Sequence, residues 1–215
     1  MSVATKLYHA TWGRVFAATY DRCLGATEAA GLGEMRREVL AAAEGRVLEL
    51  GAGTGVNLEH YPAAVTELVL VEPDPHMAKR LRSRLAGSPR RASVLEAPAE
   101  RLPFADGEFE LAVATLVLCT VPDPAAALAE LRRVMAPGGR LLLIEHVRAA
   151  DARLARWQDR CERPWRFLAA GCHCNRDTGA ALAAAGFETD ALGHRTLPKA
   201  PPIVRSLIRG TATAR

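Results

Sequence analysis

The stretch that most constrains this chain is Val47-Leu48-Glu49-Leu50-Gly51-Ala52-Gly53-Thr54-Gly55, a short apolar strand that passes through an acid into three glycines spaced G-x-G-x-G. Glycines placed directly after a strand let the backbone turn sharply and bring it close to a ligand at the next helix N-terminus, which is how parallel-sheet nucleotide folds begin. The dinucleotide fingerprint needs its third glycine one place later, where Val56 stands. Glu49 would repel a pyrophosphate and suits a cationic ligand carrying an ammonium or sulfonium group. The residues by themselves also allow a glycine-rich turn in some other α/β protein.

The rest of the chain supports such a sheet. Apolar segments predict strands at 46–50, 67–72, 92–96, 109–116 and 140–146. Helical spacing falls between them at 56–60, 75–85 and 124–135, and regular alternation with short connections argues a doubly wound parallel sheet. Two further helices, 8–24 and 33–43, precede the first strand. The tail departs from the alternation, with helices at 151–170 and 177–185 and then strands at 187–194 and 203–214 that suit an antiparallel edge pair.

Hydrophobic residues make up 49% of the 215 residues and aromatics only 5%, so the core must be built mainly of Ala, Leu and Val. The net charge of +4 is too small to argue for nucleic acid. The densest basic run, Lys79, Arg80, Arg82, Arg84, Arg90 and Arg91, reads as a solvated helix face. Five cysteines at irregular spacing, with no secretory pattern, read as reduced thiols of a cytoplasmic protein. No apolar run reaches the roughly 18 residues of a membrane span. Cys172-His173-Cys174 lacks the spacing and the second ligand pair of a zinc site, so no metal is expected.

The first motif resembles E-x-G-x-G-x-G of the class I S-adenosylmethionine (SAM)-dependent methyltransferases. That resemblance implies an α/β, Rossmann-like seven-stranded sheet of order 3-2-1-4-5-7-6, with N-terminal helices and a helical insertion before the last two strands. It divides the chain into a helical lid, 1–44, and the methyltransferase domain, 45–215. The implied cofactor is SAM, held by Glu49, Gly51, Ala52, Gly53, Gly55 and Asn57 of the glycine motif. Glu72 and Pro73 close the second strand, where an acid about twenty residues past the first glycine accepts from ribose hydroxyls. Ala99 and Glu100, in a segment similar to G-D-A-E-x-L-P-F, face adenine. Pro98 stands where the family has aspartate and has no N–H to offer. Thr115 and Leu116 end the fourth strand beside the methionine end of the cofactor. The N/D-P-P-Y/F tetrapeptide of the base-methylating enzymes is absent there.

Later segments narrow the resemblance to the thiol methyltransferase group (methyltransferase-like protein 7 and bacterial relatives). They are Thr115 through Val121, Pro137-Gly138-Gly139, Glu145-His146-Val147, Glu162-Arg163-Pro164-Trp165, Gly171 through Thr178, and Gly210-Thr211-Ala212. The partner this implies is a small-molecule thiol, with no nucleic acid or integral membrane segment. Tyr20-Asp21 and Leu102-Pro103-Phe104 also occur in the quinone C-methyltransferases, so a quinone or polyketide acceptor is a second reading and non-catalytic SAM binding a third.

His146, at the carboxyl end of the fifth strand, is the first candidate to activate a thiol, and the alternative is a histidine that shapes the pocket through a backbone carbonyl. His173 is the second candidate. Cys119 reads either as a thiol relay or as a small buried hydrophobe. Phe16, Tyr20, Trp157 and Trp165 are expected to form an apolar cover over the acceptor, the two tryptophans sharing one helix face.

Overall fold

The computed structural model describes residues 9–215. Tyr8, where the first helix was expected to start, and the lid's first residues lie outside them. A wide helical turn, His9–Gly13, leads into α1 (Arg14–Thr27), and a second, Glu28–Leu32, leads into α2 (Gly33–Leu40). The alternating part runs β1 (Gly45–Leu50), β2 (Val65–Val71), α3 (Pro75–Ala86), β3 (Ala92–Leu95), β4 (Phe109–Thr115), α4 (Pro124–Val134) and β5 (Met135–His146). The tail is α5 (Ala152–Leu168), α6 (Thr178–Ala184), β6 (Phe187–Glu188), β7 (Leu192–Thr196) and β8 (Ser206–Ala214).

The sheet order is β3-β2-β1-β4-β5-β8-β6, with β7 also on β8. The first five strands are parallel and β8 runs antiparallel to β5. This is the expected Rossmann-like order, with the reversed last strand, β8, inserted next to β5 and β6 outside it.

Local chemistry explains where the elements start and stop. Each of α3 to α6 begins on an aspartate whose carboxylate accepts from a backbone N–H of the first turn: Asp74, Asp123, Asp151 and Asp177. Such caps are each worth about 1 kcal/mol. Between β1 and β2 the expected helix is only a 3-10 turn, Val56–Glu59. Pro62 disfavours helical backbone at Tyr61 and stops it. The strand expected at 187–194 is broken into β6 and β7. Leu192 N–H turns back onto Thr189 O, and the carbonyl of Ala191 presses against Gly210 (φ 136°) where any Cβ would collide.

The central strands are apolar on both sides, as a sheet covered twice requires. Leu48, Leu50, Val69, Val71, Ala112, Ala114, Leu141 and Leu143 pack on one side with Leu128 and Leu131 of α4. Val47, Leu68, Leu70, Leu111, Val113 and Leu142 pack on the other with Leu40 of α2 and Leu81 of α3. Because side chains alternate along a strand, Glu49 shares the side of Val47, and Glu145 that of Leu143.

Candidate active site

The carboxyl ends of β1, β2, β4 and β5 converge below the N-terminal helices. Gly51 (φ 60°) turns the chain out of β1, and a Cβ there would lie inside the Val117 side chain. The first glycine is therefore fixed by the approach of the β4 exit. Gly55 (φ 82°) is closed in as well, since its Cβ would meet Leu81 Cδ1 at 2.6 Å. At Gly53 a Cβ would find nothing nearer than Gly51 O at 4.0 Å. The middle of the loop is thus open to a ligand.

Glu72 holds this loop in place. Its Oε2 accepts from Gly53 N at 2.8 Å and its Oε1 from Asp74 N at 2.8 Å. Burial raises its pKa to about 7 against the opposing pull of those two hydrogen bonds. Each carboxylate oxygen keeps a second lone pair for a ligand hydroxyl. Pro73, beside it, is exposed.

Glu49 is turned inward, where Asn57 Nδ2 donates to Oε1 at 2.9 Å and Tyr61 OH to Oε2 at 2.8 Å. Burial pushes it up to about 7 also, and the Tyr61 and Asn57 bonds counter that rise. Each oxygen thus has one partner within the protein, and the carboxylate is buried.

The residue that sequence reasoning missed here is Arg36 of α2, buried to 3% exposure. Its Nη1 donates to Asn57 Oδ1 at 2.8 Å and to Thr115 Oγ1 at 3.0 Å, while Nε and Nη2 hold the Glu28 carboxylate at 3.1 and 3.0 Å. One guanidinium thereby locks the N-terminal helices to the glycine motif and to the end of β4. A second lock lies nearby: Asp21 accepts from Thr54 Oγ1 at 2.6 Å and from Arg84 Nη2 at 2.7 Å. Between them Tyr20, packed on Phe16 with ring centroids 5.4 Å apart, brings its phenol among Arg36, Cys119, Glu28 and Glu72. Burial raises its pKa well above the usual tyrosine range.

At the β4 exit Leu116 takes a positive φ of 58°. Glu145, fully buried, receives the next N–H groups: Val117 and Leu118 on Oε1 at 2.8 Å each, and Cys119 on Oε2 at 3.3 Å. Burial lifts its pKa to about 7, with those N–H groups pulling the other way. Glu145 was also missed as a site residue. Its signal was visible as a lone acid in an otherwise apolar strand.

Across this loop lies the tail segment. His173 N–H donates to Cys119 O at 2.8 Å, and Arg176 Nη1 to Leu118 O at 2.7 Å. The buried Cys119 and Cys172 thiols interact with each other, with the Trp165 indole beside the Cys172 sulfur. That interaction, with burial, holds the Cys119 thiol well above its usual range, and it lowers that of Cys172.

His146 is buried and bonds the Val204 carbonyl, and its Nδ1 has no hydrogen-bond partner among the described residues. Burial lowers its pKa to about 4, so the imidazole is neutral across the physiological range. The His173 ring instead pairs with Glu162, Nδ1 to Oε1 at 2.8 Å. Ala99 is buried, while Glu100 Oε1 accepts Asp123 N–H at 3.1 Å.

The expected tryptophan pair does not hold. Eight residues leave about 80° between side chains on a helix, and α5 turns Trp165 inward while Trp157 stays 56% exposed. Trp157 belongs to the outer surface.

Residues 48–143 match the family described as Methyltransferase domain. The thiol S-methyltransferase TMT1A of Homo sapiens is 33% identical over 170 residues, which is 77% of this chain and 69% of that protein. The chain belongs to the class I SAM-dependent methyltransferases. Thiol S-methyltransferase TMT1B of Homo sapiens is 38% identical over 145 residues, 65% of this chain, and that match spans 59% of TMT1B. The structure of a SAM-dependent methyltransferase of Thermotoga maritima superposes with a TM-score of 0.70 over 94% of this chain and 98% of the other, at 23% identity, which shows the shared fold. The cofactor of this methyltransferase is SAM, and the open middle of the glycine loop with the Glu72 carboxylate beside it fits that group. Among the described residues no helix is long and apolar enough to cross a membrane.

Proposed function

We propose that this methyltransferase acts on the sulfur of a small lipophilic thiol. The observation that carries this reading is the junction of the β4 exit with Gly171–Arg176, tied by His173 N–H to Cys119 O and by Arg176 to Leu118 O. It joins two of the segments in which the chain resembles thiol methyltransferases. When bound, SAM supplies a methyl group on a positively charged sulfur, which a thiolate takes by in-line displacement.

In this proposal Gly51, Ala52, Gly53, Gly55, Asn57, Thr115 and Leu116 shape the pocket for the methionine and ribose parts. Glu72 accepts from the ribose hydroxyls, and Ala99 and Glu100 flank adenine. Glu49 acts on the cofactor through Asn57 and the local negative field, because its carboxylate is buried and turned toward Asn57 and Tyr61. Helices α1 and α2, with Phe16 and Tyr20, form the lid and exclude water. His146 accepts a hydrogen bond from the acceptor's S–H through Nδ1 as a neutral imidazole, while Cys119 and Trp165 line the acceptor side. His173, tied to Glu162, is the weaker candidate for the same proton.

The test is to incubate the purified protein with SAM and a panel of thiols, phenols and quinols, and to measure methylated products. Methylated thiols are the expected outcome, formed faster as pH rises toward the acceptor's own pKa near ~8.5. Turnover confined to phenols or quinols would overturn the sulfur assignment. Tight SAM binding with no turnover on any acceptor would favour a binding protein.

A further inference from the structure

Helix α5 presents two unlike sides. Its inner side is anchored by Gln158, fully buried, whose Oε1 accepts Ala149 N–H at 2.8 Å and whose Nε2 donates to the carbonyls of Cys174 at 2.7 Å and Ile203 at 3.0 Å. The two acids of the helix are engaged away from its outer side: Asp159 with Arg148 at 2.6 Å, and Glu162 with His173 at 2.8 Å.

The outer side is composed differently. Arg153, Arg156, Trp157, Arg160, Arg163, Phe167 and Leu168 are all exposed. At 100° per residue they fall within a sector about 140° wide that contains no acid. Trp157 is 56%, Phe167 58% and Leu168 52% exposed, in a chain where aromatics are scarce. Arg160 lies over the Trp157 ring, 5.9 Å from its centroid. The apolar surface continues onto the N-terminal helices: Trp12 stacks on Phe167 at 6.2 Å and donates to Leu168 O at 3.2 Å, and Val15 is 49% exposed.

Large apolar side chains interleaved with arginines, and no carboxylate among them, match the boundary between anionic headgroups and acyl chains. Arginine stems can lie along such a boundary while the guanidinium meets phosphate, and tryptophan suits the same depth. A nucleic acid would use the arginines and leave Leu168 and Val15 without a role. We infer that the outer face of α5, continued by Trp12 and Val15, is a docking surface for an anionic lipid bilayer. The inference is independent of which atom the enzyme methylates.

The full chain is to be mixed with vesicles of phosphatidylcholine alone and of phosphatidylcholine with phosphatidylserine, and binding read by co-sedimentation and by tryptophan emission. Binding is expected to the serine-containing vesicles only, weakened by salt, with a blue-shifted emission. Arg153→Glu/Arg160→Glu should lower the partition coefficient by roughly thirtyfold or more, taking about fivefold for each arginine lost. Trp157→Ser should lower it several-fold and reduce the emission shift, leaving the part that Trp12 contributes. SAM affinity and the unfolding midpoint of these variants should match the parent. If the first pair fails to fold, Arg156→Glu/Arg163→Glu carries the same expectation. Three outcomes would overturn the proposal: no dependence on phosphatidylserine, unchanged partitioning of a folded double variant, or binding to RNA that matches vesicle binding and ignores Trp157→Ser.

Discussion

Around the ends of β1 and β2, the buried charged and polar groups are joined into one closed set of donors and acceptors. At the junction of β4 and β5 with the tail, the interior holds two interacting thiols, a neutral imidazole whose Nδ1 has no partner among the described residues, and an indole beside sulfur. The first region has one arrangement that satisfies Arg36, Asn57, Thr115, Glu49 and Tyr61 together, and it is stiff for that reason. The second is bound to the sheet through backbone carbonyls, so its side chains can differ without unmaking the fold. A cofactor common to a whole family suits the first kind of construction, and an acceptor that varies among its members suits the second.

The largest effect expected from this contrast is at Arg36. Arg36→Leu strips the guanidinium from the half-buried Glu28 carboxylate and leaves Asn57 Oδ1 without its donor. Loss of about 3 kcal/mol in urea unfolding is expected, the low end for a broken buried pair because Glu28 is partly exposed, with a parallel loss of SAM affinity. A change below about 1 kcal/mol would mean that the set is not closed in solution.

A smaller effect concerns pH. Glu49, Glu72 and Glu145 each have a folded pKa raised to about 7 from 4.5, so between those values the native state binds more protons than the unfolded chain. Stability is then fully present at the acid end and falls as pH rises through about 7. His146, lowered from 6.5 to about 4, works in the opposite direction, because protonation below its unfolded value favours the unfolded chain. With three carboxylates against one imidazole, the net change from pH 5 to 7.5 should be a loss of stability. Glu145→Gln should flatten the slope, and a slope unchanged by that substitution would remove Glu145 from the explanation.

The smallest effect is expected on the acceptor side. Cys119→Ala should cost no more than about 1 kcal/mol and leave SAM affinity unaltered. A tenfold fall in SAM affinity, read by calorimetry, would join the two regions and end the contrast.

Much of this was legible in the chain. Glu49, the three glycines and Glu72 are legible by their spacing, strand–helix alternation implies a doubly wound sheet, and the family resemblance implies its order. Reading failed where local rules were overridden at a distance. Val56–Glu59 had helical spacing but too little length before Pro62, and β6 and β7 read as one strand because nothing local marks the meeting of Ala191 with Gly210. Of the basic run expected to be solvated, Arg84 binds Asp21 of α1, and Arg90 holds the carbonyls of Leu58 and Pro62 at 2.8 and 3.2 Å.

The sequence by itself determined the glycine loop, the twice-covered apolar strands and the aspartates that start four helices, since each depends on neighbours a few residues away. Only the tertiary structure decided that Arg36 meets Thr115, that Glu145 holds the loop after β4, and that Cys119 faces Cys172. Those pairings follow from which strand ends lie side by side in the sheet. A buried charge must find its partner among whatever that adjacency brings, and no period along the chain records it.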